Sequence, residues 1–209
     1  MRSFILAGCL ILAPMAAFAL EVQLGVANNS VVFEDNYYED SSFMMPYVAV
    51  GTEISDGILL FLEGSQHSLD ITEKLNGDDV ADFKIAGTGI AIVVVPRFER
   101  IDLRLGYGQV TYTYDYAPTS AGRTYLSDVG ITNFEATLDQ DKGTQIFYGL
   151  DFFVTDSILL GIEHREIETK ISTKTTFDYG GQSYSESGTD NINFAWTGAR
   201  LTVAFSGGR

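Results

Sequence analysis

The residues able to do chemistry in this chain are few. There are two histidines, His67 and His164, and the only cysteine is Cys9. Ser65 lies two positions before His67, which sets the pair on one face of a strand and offers a base beside a nucleophile. His164 has no serine at a comparable local spacing, so a structural or interfacial role is the expected one for both histidines. Asp139-x-Asp141-x-Gly143 has the opening of a calcium loop, yet position twelve is Leu150 where a bidentate glutamate is needed. Gly87-x-Gly89 and Gly106-x-Gly108 look like nucleotide loops only superficially, because they fall inside strand-like runs with no helix after them. No catalytic residue, no metal site and no cofactor is expected. The largest reactive set is ionic: Glu53, Glu63, Asp151 and Glu163 against Arg97, Arg104, Arg165 and Arg200. Arginine suits a desolvated network because its fork bonds two carboxylates and keeps its proton. Such a network either braces an interior or forms a gated ion path, and the spacing leaves both open.

The elements that must carry these charges are strands. From Ile146 to Val154 the side chains alternate, with Ile146, Tyr148, Leu150, Phe152 and Val154 on one face and Phe147, Gly149, Asp151 and Phe153 on the other. After Thr155-Asp156-Ser157, Ile158, Leu160 and Ile162 oppose Leu159, Gly161, Glu163 and Arg165. One face of this hairpin is uniformly apolar and the other mixes glycine with charge. Six further segments alternate in the same way. Strands are expected near 21–27, 43–54, 58–68, 84–95, 102–114, 146–154, 158–165 and 191–205. Pro46 suggests a strand end or bulge.

Residues 1–19 read as a secretory signal, with Arg2, an apolar run from Phe4 to Met15 and the small-x-small sequence Ala17-Phe18-Ala19. Leu6-Ala7-Gly8-Cys9 has the form of a lipidation box but lies too near the start, so Cys9 is expected to leave with the signal. That leaves no cysteine for a disulfide, a thiolate site or a nucleophile. The whole chain carries a formal charge of −15, a poor match to nucleic acid, whose binding relies on basic side chains. No apolar run after the signal approaches the ~18–20 residues of a membrane helix. A membrane can then be crossed only by a closed barrel.

The connections decide for the barrel. They run long, short, long, short, long, short, long, which is the alternation of short periplasmic turns and longer outer loops in transmembrane barrels. The apolar faces, from Val22, Leu24 and Val26 through Leu160 and Ile162 to Leu201, Val203 and Phe205, carry no ionised residue. The expected fold is all-β, an eight-stranded antiparallel up-and-down transmembrane β-barrel over 20–209. Phe194 and Trp196 fall on the parity opposite to Leu201 and Phe205. Either a bulge near Thr197-Gly198 reverses the pleat or these aromatics point inward near the outer rim.

At these residues the sequence resembles a family. Tyr148 to Glu166, YGLDFFVTDSILLGIEHRE, looks like the paired-strand signature of small Gram-negative outer membrane barrels related to the OmpA transmembrane part, OmpX and the opacity proteins. Gly198, Leu201, Val203 and Phe205 are similar to the closing-strand signal read by the barrel assembly machinery, although Ser206-Gly207-Gly208-Arg209 follows the usual terminal aromatic. The resemblance implies a monomer in the outer membrane, in contact with its lipid and lipopolysaccharide, with a structural or surface-interactive role. It also implies a barrel with no peptidoglycan-binding domain after it. A narrow conduit for small or apolar solutes is the alternative, and a lipid A-modifying enzyme a weaker one. The four long connections, Asn28–Ser42, Leu69–Lys84, Asp115–Gly143 and Lys170–Asp190, hold 17 acids and 6 bases. Solvated loops are the plain reading; a host or phage surface protein, or divalent cations bridging to lipopolysaccharide, is the sharper one.

Overall fold

The computed structural model describes residues 20–31, 41–139 and 142–206. The proposed signal, 1–19, and the residues after Ser206 lie outside them. Strand alternation fixes the architecture. β1 (Leu20–Val31), β2 (Ser41–Ser55), β3 (Ile58–Leu75), β4 (Asp78–Phe98) and β5 (Ile101–Pro118) follow in order. Then come helix α1 (Ser120–Asp128), β6 (Ile131–Asp139), β7 (Lys142–Phe153), β8 (Ile158–Tyr179) and β9 (Gln182–Ser206). All pairings are antiparallel, and the order β8-β7-β5-β4-β3-β2-β1-β9 closes on itself through β8–β9, giving a ring of 8 strands. The chain is an up-and-down transmembrane β-barrel.

Short hairpins join the strands where glycine or asparagine tolerates a left-handed backbone. Asn76-Gly77 (φ +55° and +92°) and Gly180-Gly181 (φ +60° and +81°) turn with both central residues at positive φ, the geometry that matches the twist of the strands on either side.

The exterior is divided by height. On β7, Ile146, Tyr148, Leu150 and Phe152 are 54%, 51%, 37% and 47% exposed, and Leu160 and Ile162 on β8 are 49% and 58% exposed. Large apolar side chains facing outward on every ring strand belong in acyl chains, not in water. No Asp, Glu, Lys or Arg faces outward within this band among the described residues. Above it the outward positions turn polar, at Gln66, Thr88, Gln109, Thr144, His164 and Thr197, and then charged, at Asp70, Lys84 and Glu166.

Two expectations are corrected above the band, and one open alternative is decided. Leu69–Phe83 and Lys170–Asp190 are not irregular loops: β3–β4 and β8–β9 continue as ladders to Leu75↔Asp78 and Tyr179↔Gln182. Inward burial continues through Leu69, Ile71 and Ile171 and fades beyond them, so the apolar alternation is lost toward the tips while the backbone hydrogen bonds remain. Asp115–Gly143 is built as well. Thr119 caps α1, its Oγ1 accepting from Gly122 N at 3.1 Å, and β6 takes the place beside β8 above β7, pairing from Asp139↔Ser172 upward. Finally, the β8–β9 register runs unbroken through His164↔Thr197 and Arg165↔Trp196. There is no bulge at Thr197-Gly198, and Trp196 is an inward aromatic.

Pro46 sits inside β2, and the β2–β3 ladder ends at the next pair, Tyr47↔Ser65. Proline has no N–H to continue it.

Candidate functional site: a salt-bridged lumen beneath an aromatic cluster

Inward positions at mid-height bring together Glu63 from β3, Arg104 from β5, Asp151 from β7, Glu163 and Arg165 from β8 and Arg200 from β9. Each is at most 2% exposed. The register makes room for them by setting small residues beside large ones. Glu63 pairs with Ala49 and Ala91, Glu163 with Gly149 and Gly198, and Arg200 with Ala27 and Gly161. A Cβ on Gly161 would collide with the Asp151 carboxylate, so only glycine lets that side chain cross the lumen.

Arg165 is the hub. Its Nη2 donates to Glu63 Oε1 at 2.9 Å and to Glu163 Oε1 at 2.8 Å, and its Nη1 donates to Gln145 Oε1 at 2.7 Å. Its guanidinium also lies 3.9 Å from the Phe147 ring centroid. Arg104 donates to the other Glu63 oxygen and, through Nη1 at 3.1 Å, to Gln23. Arg200 donates to Glu163 Oε2 and stands 4.2 Å from the Tyr47 ring centroid. Asp151 lies between Arg104 and Arg200, at 3.8 and 3.7 Å. Three carboxylates thus face three guanidiniums, and formal charge cancels. Burial of this kind is tolerable only when every charge has an opposite neighbour.

A second layer lies toward the short turns. Arg97 donates Nε and Nη2 to the two Asp102 oxygens, both at 2.8 Å, and Nη1 and Nη2 to Glu21, both at 3.0 Å. Asp102, Glu21, Gln23 and Gln145 were missed by the sequence reading, although the inward parity of each strand already pointed to them. Glu53, in contrast, does not join. It is exposed beside the β2–β3 turn, where its Oε1 accepts from Gly57 N at 2.9 Å. Glu53 keeps the inward parity, paired with the inward Leu59, but it sits at the rim where the strand gives way to the turn, so its carboxylate reaches solvent and the turn, not the mid-height layer.

On the other side of the ionic layer, the lumen is aromatic. His67 packs against Phe43, Tyr112 and Trp196 with ring centroids 5.6, 5.4 and 5.1 Å away. Its proposed partner Ser65 instead faces Arg165 Nη1, at 3.4 Å. The two do not form a base and nucleophile. His164 is on the outer wall, its Nδ1 2.8 Å from Thr197 Oγ1 and its Nε2 3.5 Å from Glu166. That threonine comes from the neighbouring strand, which local spacing could not disclose. Of the calcium-like run, Asp139 ends β6 and Gly143 lies in β7, while Asp141 is outside the described residues. The closing-strand residues meet β1: Leu201, Val203 and Phe205 pair with Val26, Leu24 and Val22, and Gly198 faces inward against Asn29.

A closed eight-stranded ring, a belt of outward aliphatic and aromatic side chains and an interior of paired charges define a small outer membrane type of β-barrel. Solved structures agree. OprG from Pseudomonas aeruginosa is 11% identical, with 90% of this chain and 96% of that one covered and a TM-score of 0.59. Neisserial surface protein A is 13% identical over 89% and 97% of the two chains, with a TM-score of 0.49. The outer membrane protein AlkL, solved in lipid bilayers, is 13% identical over 94% and 96%, at 0.48. At such identities the likeness to OprG establishes the fold and no more. No protein family model matches the sequence, and no curated protein matches it either.

Proposed function

We propose that the chain is a monomeric integral protein of the outer membrane with a structural and surface-interactive role, neither conducting ions nor catalysing a reaction. The observation that carries this reading is the mid-height layer of Glu63, Asp151, Glu163, Arg104, Arg165 and Arg200, which sets mutually ion-paired, buried side chains across the lumen. A barrel of this size is filled by its own side chains. Function then belongs to what stands above the membrane, the extensions of β3–β4 and β8–β9 with α1 and β6. Gly198, Leu201, Val203 and Phe205 would be read by the barrel assembly machinery, the belt would contact lipid and lipopolysaccharide, and the extensions would meet a host or phage surface protein.

The test is planar-bilayer conductance of the refolded protein. Silence in wild type, with current appearing in Glu63→Ala or Arg104→Ala, supports a sealed plug; steady wild-type current overturns it. Unchanged lipid A mass spectra from expressing cells are expected, and a changed acyl pattern would overturn the non-catalytic assignment.

A second reading has its own support. Outside the plug the interior is a packed apolar cluster that includes Phe43, Tyr112 and Trp196 with Phe194 against it, and the β2–β3 ladder stops at Tyr47↔Ser65, beside Pro46, so rearrangement of these rings would let small apolar solutes enter from that side and leave through the wall. Faster uptake of apolar solutes in cells carrying the protein would favour this conduit.

A further inference from the structure

Away from the lipid-facing belt, large apolar side chains also stand exposed at the tip of the extension. Tyr125 on α1 and Val129 at its C-terminal cap, one helical turn apart, are 50% and 46% exposed, and Tyr179 at the end of β8 is 52% exposed. These three are neighbours. Val129 N donates to Tyr125 O at 3.2 Å, and a Cβ on Gly130 would lie 3.4 Å from the Tyr179 ring. Tyr179 pairs with Ile131 of β6 on one side and with Gln182 of β9 on the other. Described strands thus flank this ring on both sides and still leave it open. The same face of the β8–β9 hairpin continues to Tyr184, exposed and stacked on Phe177 with centroids 5.5 Å apart.

Contiguous apolar side chains held in water mark contact surfaces, and tyrosine gives a large contact area at a small cost in conformational entropy. The charge beside the patch is of one sign. Asp128, the last residue of α1, is exposed. The helix has no base in its last turn, so the negative end of its dipole adds to that carboxylate and favours a cation there. Glu186 is exposed on the hairpin face that carries Tyr184. Neither 124–141 nor 175–199 contains Lys or Arg. Arg123, the base just before Tyr125, is turned back to the Pro118 carbonyl, which accepts from its Nε at 3.3 Å.

We infer that the tip formed by Tyr125, Val129 and Tyr179 docks a partner polypeptide whose apolar anchor is flanked by lysine or arginine. This deepens the surface-interactive role proposed above and rests on it. The anchor packs on the tyrosine rings, where buried aromatic contacts carry most of an interface's energy. The flanking cation meets Asp128 and the end of α1, and it can also lie over a ring face. A second copy of the chain fits worse, because it brings the same acids to the contact and like charges across an interface cost affinity.

The experiment uses the full mature chain refolded into phosphatidylcholine nanodiscs, whose lipid carries no net charge to attract a basic probe. Three short fluorescent peptides serve as probes: leucines flanked by lysines, the same leucines flanked by glutamates, and serines flanked by lysines. Fluorescence anisotropy is expected to show the first binding about tenfold more tightly than either of the others. Tyr125→Ser and Asp128→Lys, both at exposed positions, are each expected to weaken that binding by about tenfold while preserving heat-modifiability. Asp156→Lys makes the same change of charge in the β7–β8 turn at the other end of the barrel and is expected to leave binding unchanged. Equal binding of the leucine and serine peptides, equal weakening by Asp156→Lys and Asp128→Lys, or full binding to Tyr125→Ser would each overturn the inference. So would self-association of the chain that the Tyr125→Ser variant abolishes, since a second copy would then be the occupant. A steady wild-type current in planar bilayers would instead strike at the sealed, surface-interactive reading itself, so the two failures are told apart.

Discussion

Replacing Glu63 by glutamine tests the logic of the lumen most directly. The substitution keeps the shape of the side chain but removes one of three carboxylates facing Arg104, Arg165 and Arg200, all of them at most 2% exposed. Two of those guanidiniums lose a charged acceptor at once: Arg104 through Nη2 and Arg165 through the 2.9 Å bond from its own Nη2. The layer goes from neutral to one uncompensated positive charge in a site closed to water. Breaking a buried pair from one side costs roughly 3–5 kcal/mol. At an m-value of ~2 kcal/mol/M, that lowers the urea midpoint by about 1.5–2.5 M. Trp196, the only tryptophan and buried in the upper lumen, reports unfolding by fluorescence in lipid vesicles. The double variant Glu63→Gln with Arg104→Met restores neutrality and should recover part of the loss, with a coupling of about 1–3 kcal/mol. A single variant within ~1 kcal/mol of wild type, combined with additivity in the double, would show that the layer is well hydrated and would remove the sealed-plug argument.

Other substitutions probe the remaining levels. Leu160→Arg, on the belt at mid-height, should cost about 2–4 kcal/mol and lower the folding yield in vesicles, whereas Ser187→Arg, exposed on the extension, should change stability by less than ~0.5 kcal/mol. Gly161→Val inserts a side chain where the Asp151 carboxylate lies and should destabilise by at least ~1–3 kcal/mol or stop refolding, as read by heat-modifiability on a gel. Asp178 holds β6 against the β8–β9 tip, accepting from Asn133 Nδ2 and Ser183 Oγ, both at 2.6 Å. These two bonds favour the ionised form and hold its carboxyl below the usual range. A depressed folded pKa gives a contribution present above the unfolded value and lost as pH falls through the folded one. Proteolysis within β6 should therefore rise only in that acid range, and Asp178→Asn should show the same cleavage at neutral pH.

Much of the barrel is legible in one dimension because the membrane imposes a two-sided rule. At Ile146–Arg165 every second residue must suit acyl chains and every other must fit a crowded lumen, so alternation alone assigned Tyr148 and Leu150 outward and Asp151, Glu163 and Arg165 inward. The rule lapses where water touches both faces. Past Leu69, Ile71 and Ile171, which are still buried inward, the segments running to Phe83 and Asp190 sustain no apolar period, and their ladders follow from the strands below them, which propagate backbone hydrogen bonds into residues with no hydrophobic reason to be extended. The same blindness hid β6, whose place beside β8 depends on β7 ending beneath it.

The sequence by itself determined the solvent-facing parity of each strand, the need for a closed ring and the presence of matched acids and arginines, since all three follow from local alternation and the absence of an apolar helix. Tertiary structure alone decided which charges meet. Glu53 has the right residue type and the inward parity, but its height at the rim beside the β2–β3 turn leaves it in solvent, bonded to Gly57 N. Asp102 and Glu21, on strands far apart in sequence, converge on Arg97. Strand register and closure convert sequence separation into neighbourhood, and neither is written in the spacing within a single strand.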